Sequence, residues 1–357
     1  MLPTALRSFA RRFPALTVAM ACTLGLTLLA VLGLKVYFHS SKSVIFLLGD
    51  SGIGNYRLDP GNRLQDVLEK ANPGFVVQNW AQPGASSGDC FLQLERGILL
   101  AGEPAVVVIA LSPDKFLEEA GAHRFTDDGA NLHWIPWNSQ GLAFFQSLSS
   151  RDRNIALVQQ ATLPFYAVSD LAQAAWIRYV QWPYERAAMR KSGRARKERI
   201  ARFSSGIGQR FANLSIGNDS VFASSVQAKD GFFLVNSLRQ QRIPTVAVLL
   251  PFANPELLRR TWSPAGLAKR DLVIERMENW MAHENVAYVD FNDAKDIQNF
   301  PDAVWDDHVH LKDPQAFEYI AERIDLSLLG RKSRLPSEAA SADFKADNLH
   351  IARNGAR

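Results

Sequence analysis

Cysteine is almost missing from this chain: Cys22 and Cys90 are the only two. A disulfide framework and a cysteine-built metal cage are therefore excluded, and the redox compartment goes unmarked. A dominant charge sign is missing too, since 40 Lys and Arg oppose 36 Asp and Glu for a formal charge of +4. So small an excess gives no reason to expect nucleic acid as a partner. No internal repeat is present, which sets solenoids aside. What the chain has is ample apolar content for a well-buried core.

Charge is absent in one decisive place. From Phe13 to Leu34 no residue is ionisable apart from Cys22, and a helix over this stretch is long enough for a hydrocarbon core of about 30 Å. Arg7, Arg11 and Arg12 precede it, while Lys35 and Lys42 follow. The positive-inside bias then puts residues 1–12 in the cytoplasm, a transmembrane anchor at 13–38, and the rest outside a cytoplasmic (inner) membrane. A cleaved signal peptide is the competing reading, but the apolar stretch is longer than usual and no small-x-small site follows it. Arg11-Arg12-Phe13 also allows a twin-arginine export signal.

Beyond the anchor, apolar runs alternate with helical patterns, as in a parallel α/β sheet. Strands are expected at Val44–Leu48, Phe75–Gln78, Ala105–Leu111, Asn154–Val158, Thr245–Leu250 and Val286–Asp290. Helical spacing marks Asn62–Ala71 and Asp313–Leu329. The long interval before Thr245 predicts a helical insertion at about 160–240 within one domain spanning 44–330. It holds an aromatic stretch, Trp176–Tyr184, and a basic one, Arg186–Arg202. The basic stretch suits either an anionic membrane surface or polymer, or simply a solvated helix face. Residues 331–357 read as a flexible polar tail.

The first strand stops at Gly49-Asp50-Ser51-Gly52. A serine on a turn at the carboxyl end of a buried parallel strand stands where ligands bind, and it becomes a nucleophile if a base accepts its proton. Asp307 and His310 lie three apart, so one loop can present a base with the acid that orients it. His308 and His310 also raise a metal reading. It lacks a third ligand of identifiable spacing, so neither metal nor cofactor is expected.

Gly49-Asp50-Ser51 with Asp307-x-x-His310 resembles the SGNH, or GDSL, hydrolases. The resemblance implies an SGNH-hydrolase, flavodoxin-like parallel sheet flanked by helices. It implies Ser51 as nucleophile, His310 as general base and Asp307 as its partner. Asn79-Trp80-Ala81-Gln82-Pro83-Gly84-Ala85 is similar to the family's second block, with Gly84, or alternatively Gly88, supplying an oxyanion N–H. The third block should read Gly-x-Asn-Asp but reads Ser112-Pro113-Asp114-Lys115-Phe116.

That departure resembles the DltD family, membrane-anchored SGNH relatives that act outside the cell with a membrane-bound O-acyltransferase. Leu249–Pro255 is similar to their Pro-x-x-Asn segment, with Asn254 as its asparagine. The implied function is O-acylation, D-alanyl or acetyl, of an envelope polysaccharide or teichoic-acid-like polymer through an acyl-serine. A stand-alone envelope esterase or deacetylase, and a non-catalytic scaffold partnering an acyltransferase, stay open. Ser112 and Asp114 fall in the oxyanion region, but an ionised carboxylate repels an oxyanion. Weak hydrolysis is the expected consequence.

Overall fold

A computed structural model of the chain describes residues 14–50, 53, 61, 63–82, 84–110, 113, 132–162, 193–213, 225–251, 255–292, 296, 298–301, 304–305, 310–311 and 313–324. Its centre is a five-stranded sheet made of β1 (Ser43–Leu48), β2 (Phe75–Asn79), β3 (Val106–Ala110), β4 (Thr245–Leu249) and β5 (Ala287–Asp290). The spatial order is β2-β1-β3-β4-β5 and every pairing is parallel. This is the flavodoxin-like doubly wound order, in which the chain leaves β1 toward β2 and returns to the other side for β3. The α/β class and parallel sheet expected from the sequence are thus present.

β1 is buried from Val44 to Leu48 and β3 throughout. Such continuous apolar runs are what a parallel strand covered on both faces requires, because neither row of side chains meets water. Helices α2 (Leu64–Ala71), α3 (Ser87–Ala101), α7 (Val226–Gln240) and α9 (Pro264–His283) supply the cover. Helix α3 starts at a reciprocal cap: the Asp89 N–H donates to Ser86 Oγ at 3.2 Å, and the Ser86 N–H donates to Asp89 Oδ2 at 2.9 Å.

The expected strand at Asn154–Val158 is instead part of helix α5 (Ser150–Ala161). Ser149 caps it, its Oγ accepting from the Asp152 N–H at 3.1 Å. The Ser-x-x-Asp start outweighs a short apolar run, and only Ala156 and Gln159 of the helix are buried. The whole interval 111–244 therefore joins β3 to β4. It includes α4 (Ser139–Ser147), α5, α6 (Gly193–Ala212) and α7. Trp176–Tyr184 lies outside the described residues, as do the basic side chains at the start of α6 and the tail 331–357.

Not all of the expected insertion is peripheral, since α7 packs on α3 over the sheet. The Ser237 hydroxyl donates to Glu95 Oε1 at 2.6 Å, and the Ser87 N–H donates to Gln227 Oε1 at 3.1 Å. α7 is the returning crossover of the parallel β3–β4 pair.

The apolar amino-terminal stretch forms α1 (Pro14–Phe38), in which Lys35 is the lone ionised side chain. Leu24, Leu26, Leu28, Leu29 and Leu32 are exposed, whereas Leu34 is buried in the core. Among the described side chains no helix is long and apolar enough to cross a membrane; that set omits positions 16, 17, 20, 23, 27 and 30 of α1. The expected helix is present. Its last turn is fixed to the domain. Gln78 Nε2 donates to the Phe38 carbonyl at 2.7 Å, and the Phe38 ring lies 4.7 Å from that of Trp80. Trp80 in turn carries the Arg96 guanidinium, 5.5 Å from its centroid, and the same guanidinium lies 5.3 Å from the Trp134 centroid.

Burial pushes the Glu95 carboxyl above its ordinary range, and the Ser237 hydrogen bond offsets part of the rise. A raised carboxyl binds its proton more tightly folded than unfolded, so stability falls as pH climbs from the ordinary Glu range through the folded value. Glu95→Gln keeps an acceptor for Ser237 without the charge. In thermal melts it should match the wild type near pH 4.5 and become the more stable of the two as pH rises.

Candidate active site

The reversal of winding direction lies between β1 and β3, so the crevice outside their carboxyl ends is where this architecture binds ligands. β1 leads into that crevice at Gly49, whose φ of +143° suits only glycine. A Cβ there would sit 2.8 Å from the Ala110 carbonyl oxygen and 2.9 Å from the Ala110 methyl. The ends of the two central strands thus touch through the missing side chain. Asp50 continues the turn; Ser51 lies outside the described residues.

The second block comes to the same place. Pairing between β1 and β2 continues past the strands, with the Trp80 N–H donating to the Leu47 carbonyl and the Gln82 N–H to the Gly49 carbonyl, both at 2.9 Å. The Ala85 N–H then donates to the Gln82 carbonyl at 3.2 Å, closing a turn that contains Gly84. Gly84 has φ +76°, the left-handed conformation such a turn demands. Gly88, the alternative, lies inside the first turn of α3.

On the other side of the sheet the chain leaving β5 is tied to the end of β4. The Asn292 amide donates to the Leu250 carbonyl at 3.1 Å, and the Asn292 N–H donates to Asp290 Oδ1 at 2.9 Å. Next comes a knot of aromatic rings, Phe291, Phe300 and Tyr319, with centroids 5.8–6.1 Å apart. Tyr319 and Arg323, on α10 (Pro314–Arg323), hold the buried Asp296: the Tyr319 hydroxyl donates to Oδ1, and Arg323 Nη2 reaches Oδ2 at 3.3 Å. The bond to this carboxylate, reinforced by burial and its charge, raises the Tyr319 phenol above its ordinary range.

The segment bearing the Asp-x-x-His pair is closed at its neck by an antiparallel bridge between Trp305 and Leu311, with Trp305 Nε1 donating to the Phe300 carbonyl at 3.0 Å. His310 stands half-buried beside this neck. Asp307 is outside the described residues, as are Ser112, Asp114 and Asn254. The structure thus brings Gly84 to the Gly49 turn and describes His310 on its own bridged loop; it does not describe the Ser51, Asp307 and His310 side chains together. Among the described residues no group of three His, Cys, Asp or Glu could hold a metal ion.

Three residues of this region went unnoticed in the sequence, Gln93, Asn292 and Asp296, and Gln82 was read only as part of the second block. Gln93 left a signal. On a helix it shares a face with Cys90, Leu94 and Gly97, all buried, which makes it an amide on the sheet side. Gln82 acts through its backbone, and Asn292 and Asp296 through side chains just past β5, where no periodicity speaks.

No family profile matches the chain, and no curated protein matches it. Among solved structures it is similar to the lipase/acylhydrolase from Enterococcus faecalis, at 12% identity and TM-score 0.39, covering 82% of this chain and 100% of that one. A putative lipolytic protein of the G-D-S-L family from Desulfitobacterium hafniense gives 10% identity and TM-score 0.38, over 79% and 97%. A G-D-S-L family lipolytic protein from Veillonella parvula gives 10% and 0.37, over 82% and 100%. Likenesses of this size carry no argument about activity, and the functional reading below rests on the chain's own residues.

Gly49→Ala should destabilise the domain by about 1–3 kcal/mol, through a left-handed φ and a clash with Ala110 backbone. Urea unfolding with an unchanged m-value checks this. Tyr319→Phe should cost about 1.5–3 kcal/mol, the range for a hydrogen bond to a charged group. Thermal melts of the variant and the wild type at pH 7 check this.

Proposed function

We propose that the chain is a serine ester enzyme of SGNH type, anchored in a membrane and acting on acyl esters outside the cytoplasm. The observation that carries this reading is the meeting of two turns at the β1–β3 crevice: the Gln82–Gly84 turn is hydrogen-bonded to Gly49, the residue that opens the sequence Gly49-Asp50-Ser51. In the sequence, Asp307-x-x-His310 follows the last strand.

In this mechanism Ser51 Oγ attacks the acyl carbonyl carbon while His310 takes the hydroxyl proton. Asp307 accepts a hydrogen bond from the imidazole, fixing its tautomer and stabilising the imidazolium. The tetrahedral oxyanion is met by the N–H groups of Ser51 and Gly84. Collapse expels the alcohol, which receives the proton from His310, and leaves an acyl ester on Ser51. A second hydroxyl, from water or from a polymer, then attacks that ester with His310 again as base. Asp114, where a neutral donor is usual, disfavours fast turnover with any acceptor. The Ser112-Pro113-Asp114-Lys115-Phe116 block supports a DltD-like O-acylation of an envelope polymer, with a membrane-bound O-acyltransferase as partner.

The anchor is supported by the one charge in α1 and by its exposed leucines. Only residues 39–42 separate α1 from β1. Four extended residues span at most about 14 Å, so such an anchor holds the domain against the bilayer. Asp114 also favours a second reading, a non-catalytic scaffold for the acyltransferase; a stand-alone esterase differs from the first only in its acceptor.

A fluorophosphonate probe should label the full-length protein covalently, and Ser51→Ala should abolish labelling. His310→Ala should slow it by about a hundredfold or more. Intact-mass spectrometry reads the adduct, and a folded wild type that takes up no probe would decide for the scaffold.

A further inference from the structure

Gln93 projects from α3 into the base of the β1 turn and is 3% exposed. Its amide meets one residue twice. The Gly49 N–H donates to Gln93 Oε1 at 2.9 Å, and Gln93 Nε2 donates to the Gly49 carbonyl at 3.1 Å. The two bonds flank the N–Cα and Cα–C bonds of Gly49, so together they fix both of its dihedral angles. A primary amide presents an acceptor and a donor side by side; a carboxylate offers only acceptors, and an apolar chain offers neither. The same carbonyl oxygen also accepts from the Gln82 N–H, at 2.9 Å. Gln93 and the turn holding Gly84 therefore share one atom.

A glutamine is a costly choice for this position if packing is all that matters, because its amide is removed from water on the apolar face of α3. The benefit falls on Gly49, whose φ of +143° no side-chain packing of its own can hold. The direction in which Asp50 and Ser51 leave the sheet follows from that φ and its ψ.

We propose that Gln93 is a positioning residue for the nucleophile: its amide locks the Gly49 peptide groups, and through them the Gly49-Asp50-Ser51 turn and the Gln82–Gly84 turn are held in one fixed relation. This rests on the reading of Ser51 as nucleophile. A loosened Gly49 lets the hydroxyl and the oxyanion N–H groups drift apart, and misplacement of about 1 Å costs roughly a hundredfold in rate.

The test compares Gln93→Met and Gln93→Glu with wild type in the full-length protein, each scaled to its folded fraction by near-ultraviolet circular dichroism. A protonated glutamic acid reproduces both bonds, accepting from the Gly49 N–H and donating to the Gly49 carbonyl. An ionised one sets a second acceptor against that carbonyl. Burial raises the pKa of a carboxyl so placed. Fluorophosphonate labelling of Gln93→Glu should therefore run within about threefold of wild type at pH 5 and fall toward a hundredfold slower by pH 8. Gln93→Met should be slow at every pH. A variant-to-wild-type ratio that stays near one for both substitutions overturns the proposal, and so does a Gln93→Glu ratio that does not move with pH.

Amide hydrogen exchange over residues 47–53 reads the lock without reference to chemistry. It should speed up by about tenfold or more in Gln93→Met while residues 106–110 stay protected. If the wild type takes up no probe, Ser51 is not the nucleophile, and unchanged exchange over 47–53 would then reject the lock as well. Should Gln93→Met not fold, Gln93→Glu at pH 5 retains both bonds and carries the comparison to higher pH.

Discussion

The space beside Gly49 where a side chain would be is the constraint on which the site and the sheet both depend. Ala110 occupies it from β3, the Gln82 N–H and the Gln93 amide fix the backbone around it, and β1 is able to stop there without leaving peptide groups unsatisfied. A parallel sheet has its crevice where the winding reverses, but the crevice becomes useful only if the first strand can turn sharply at its rim. One missing methyl group allows the two central strands to end at the same level and a loop to emerge between them.

The surroundings of that point are built for rigidity in different ways on its two sides. Toward β2, main-chain hydrogen bonds run on beyond the strands and carry the Gly84 turn with them. Toward β5, where main-chain pairing runs on only to the Phe291 N–H on the Leu249 carbonyl, side chains take over: the Asn292 amide, three aromatic rings and the Tyr319–Asp296–Arg323 cluster. Buried carboxylates such as Asp296 need partners to offset the loss of water, and α10 provides both from one face. Among the described residues the partner of Glu95 is the Ser237 hydroxyl, and burial leaves its pKa raised, which places it among structural groups at the α3–α7 contact.

Much of this was legible in the residues. The five strands of the sheet announce themselves as apolar runs ending in Gly, Pro or polar residues, most clearly the central β1, β3 and β4, since a strand covered on both sides has no alternative composition. The sixth expected strand, Asn154–Val158, failed for a physical reason: five residues cannot distinguish a period of 2 from one of 3.6, and the capping Ser149 three residues before Asp152 was the better guide. The insertion was visible as excess length, but its final helix is a structural cover of the sheet, because a parallel crossover needs one and length alone does not say which helix serves. Gly49 and Ser51 were legible as a turn with a hydroxyl; the partners of Gly49 were not. Gln82 acts through main chain and Asn292 through an amide on a loop, and in neither case does spacing carry much information.

The join between α1 and the domain has a mechanical meaning. Phe38 is bound through its carbonyl to Gln78 and through its ring to Trp80, and Trp80 shares the Arg96 cation with Trp134. A helix fastened in this way behaves as a stiff stalk and not as a tether. Whatever grips the outer turns of α1 therefore sets the compass bearing and the lean of the whole sheet, so that the crevice can sweep only the small volume which the stalk's own tilt allows.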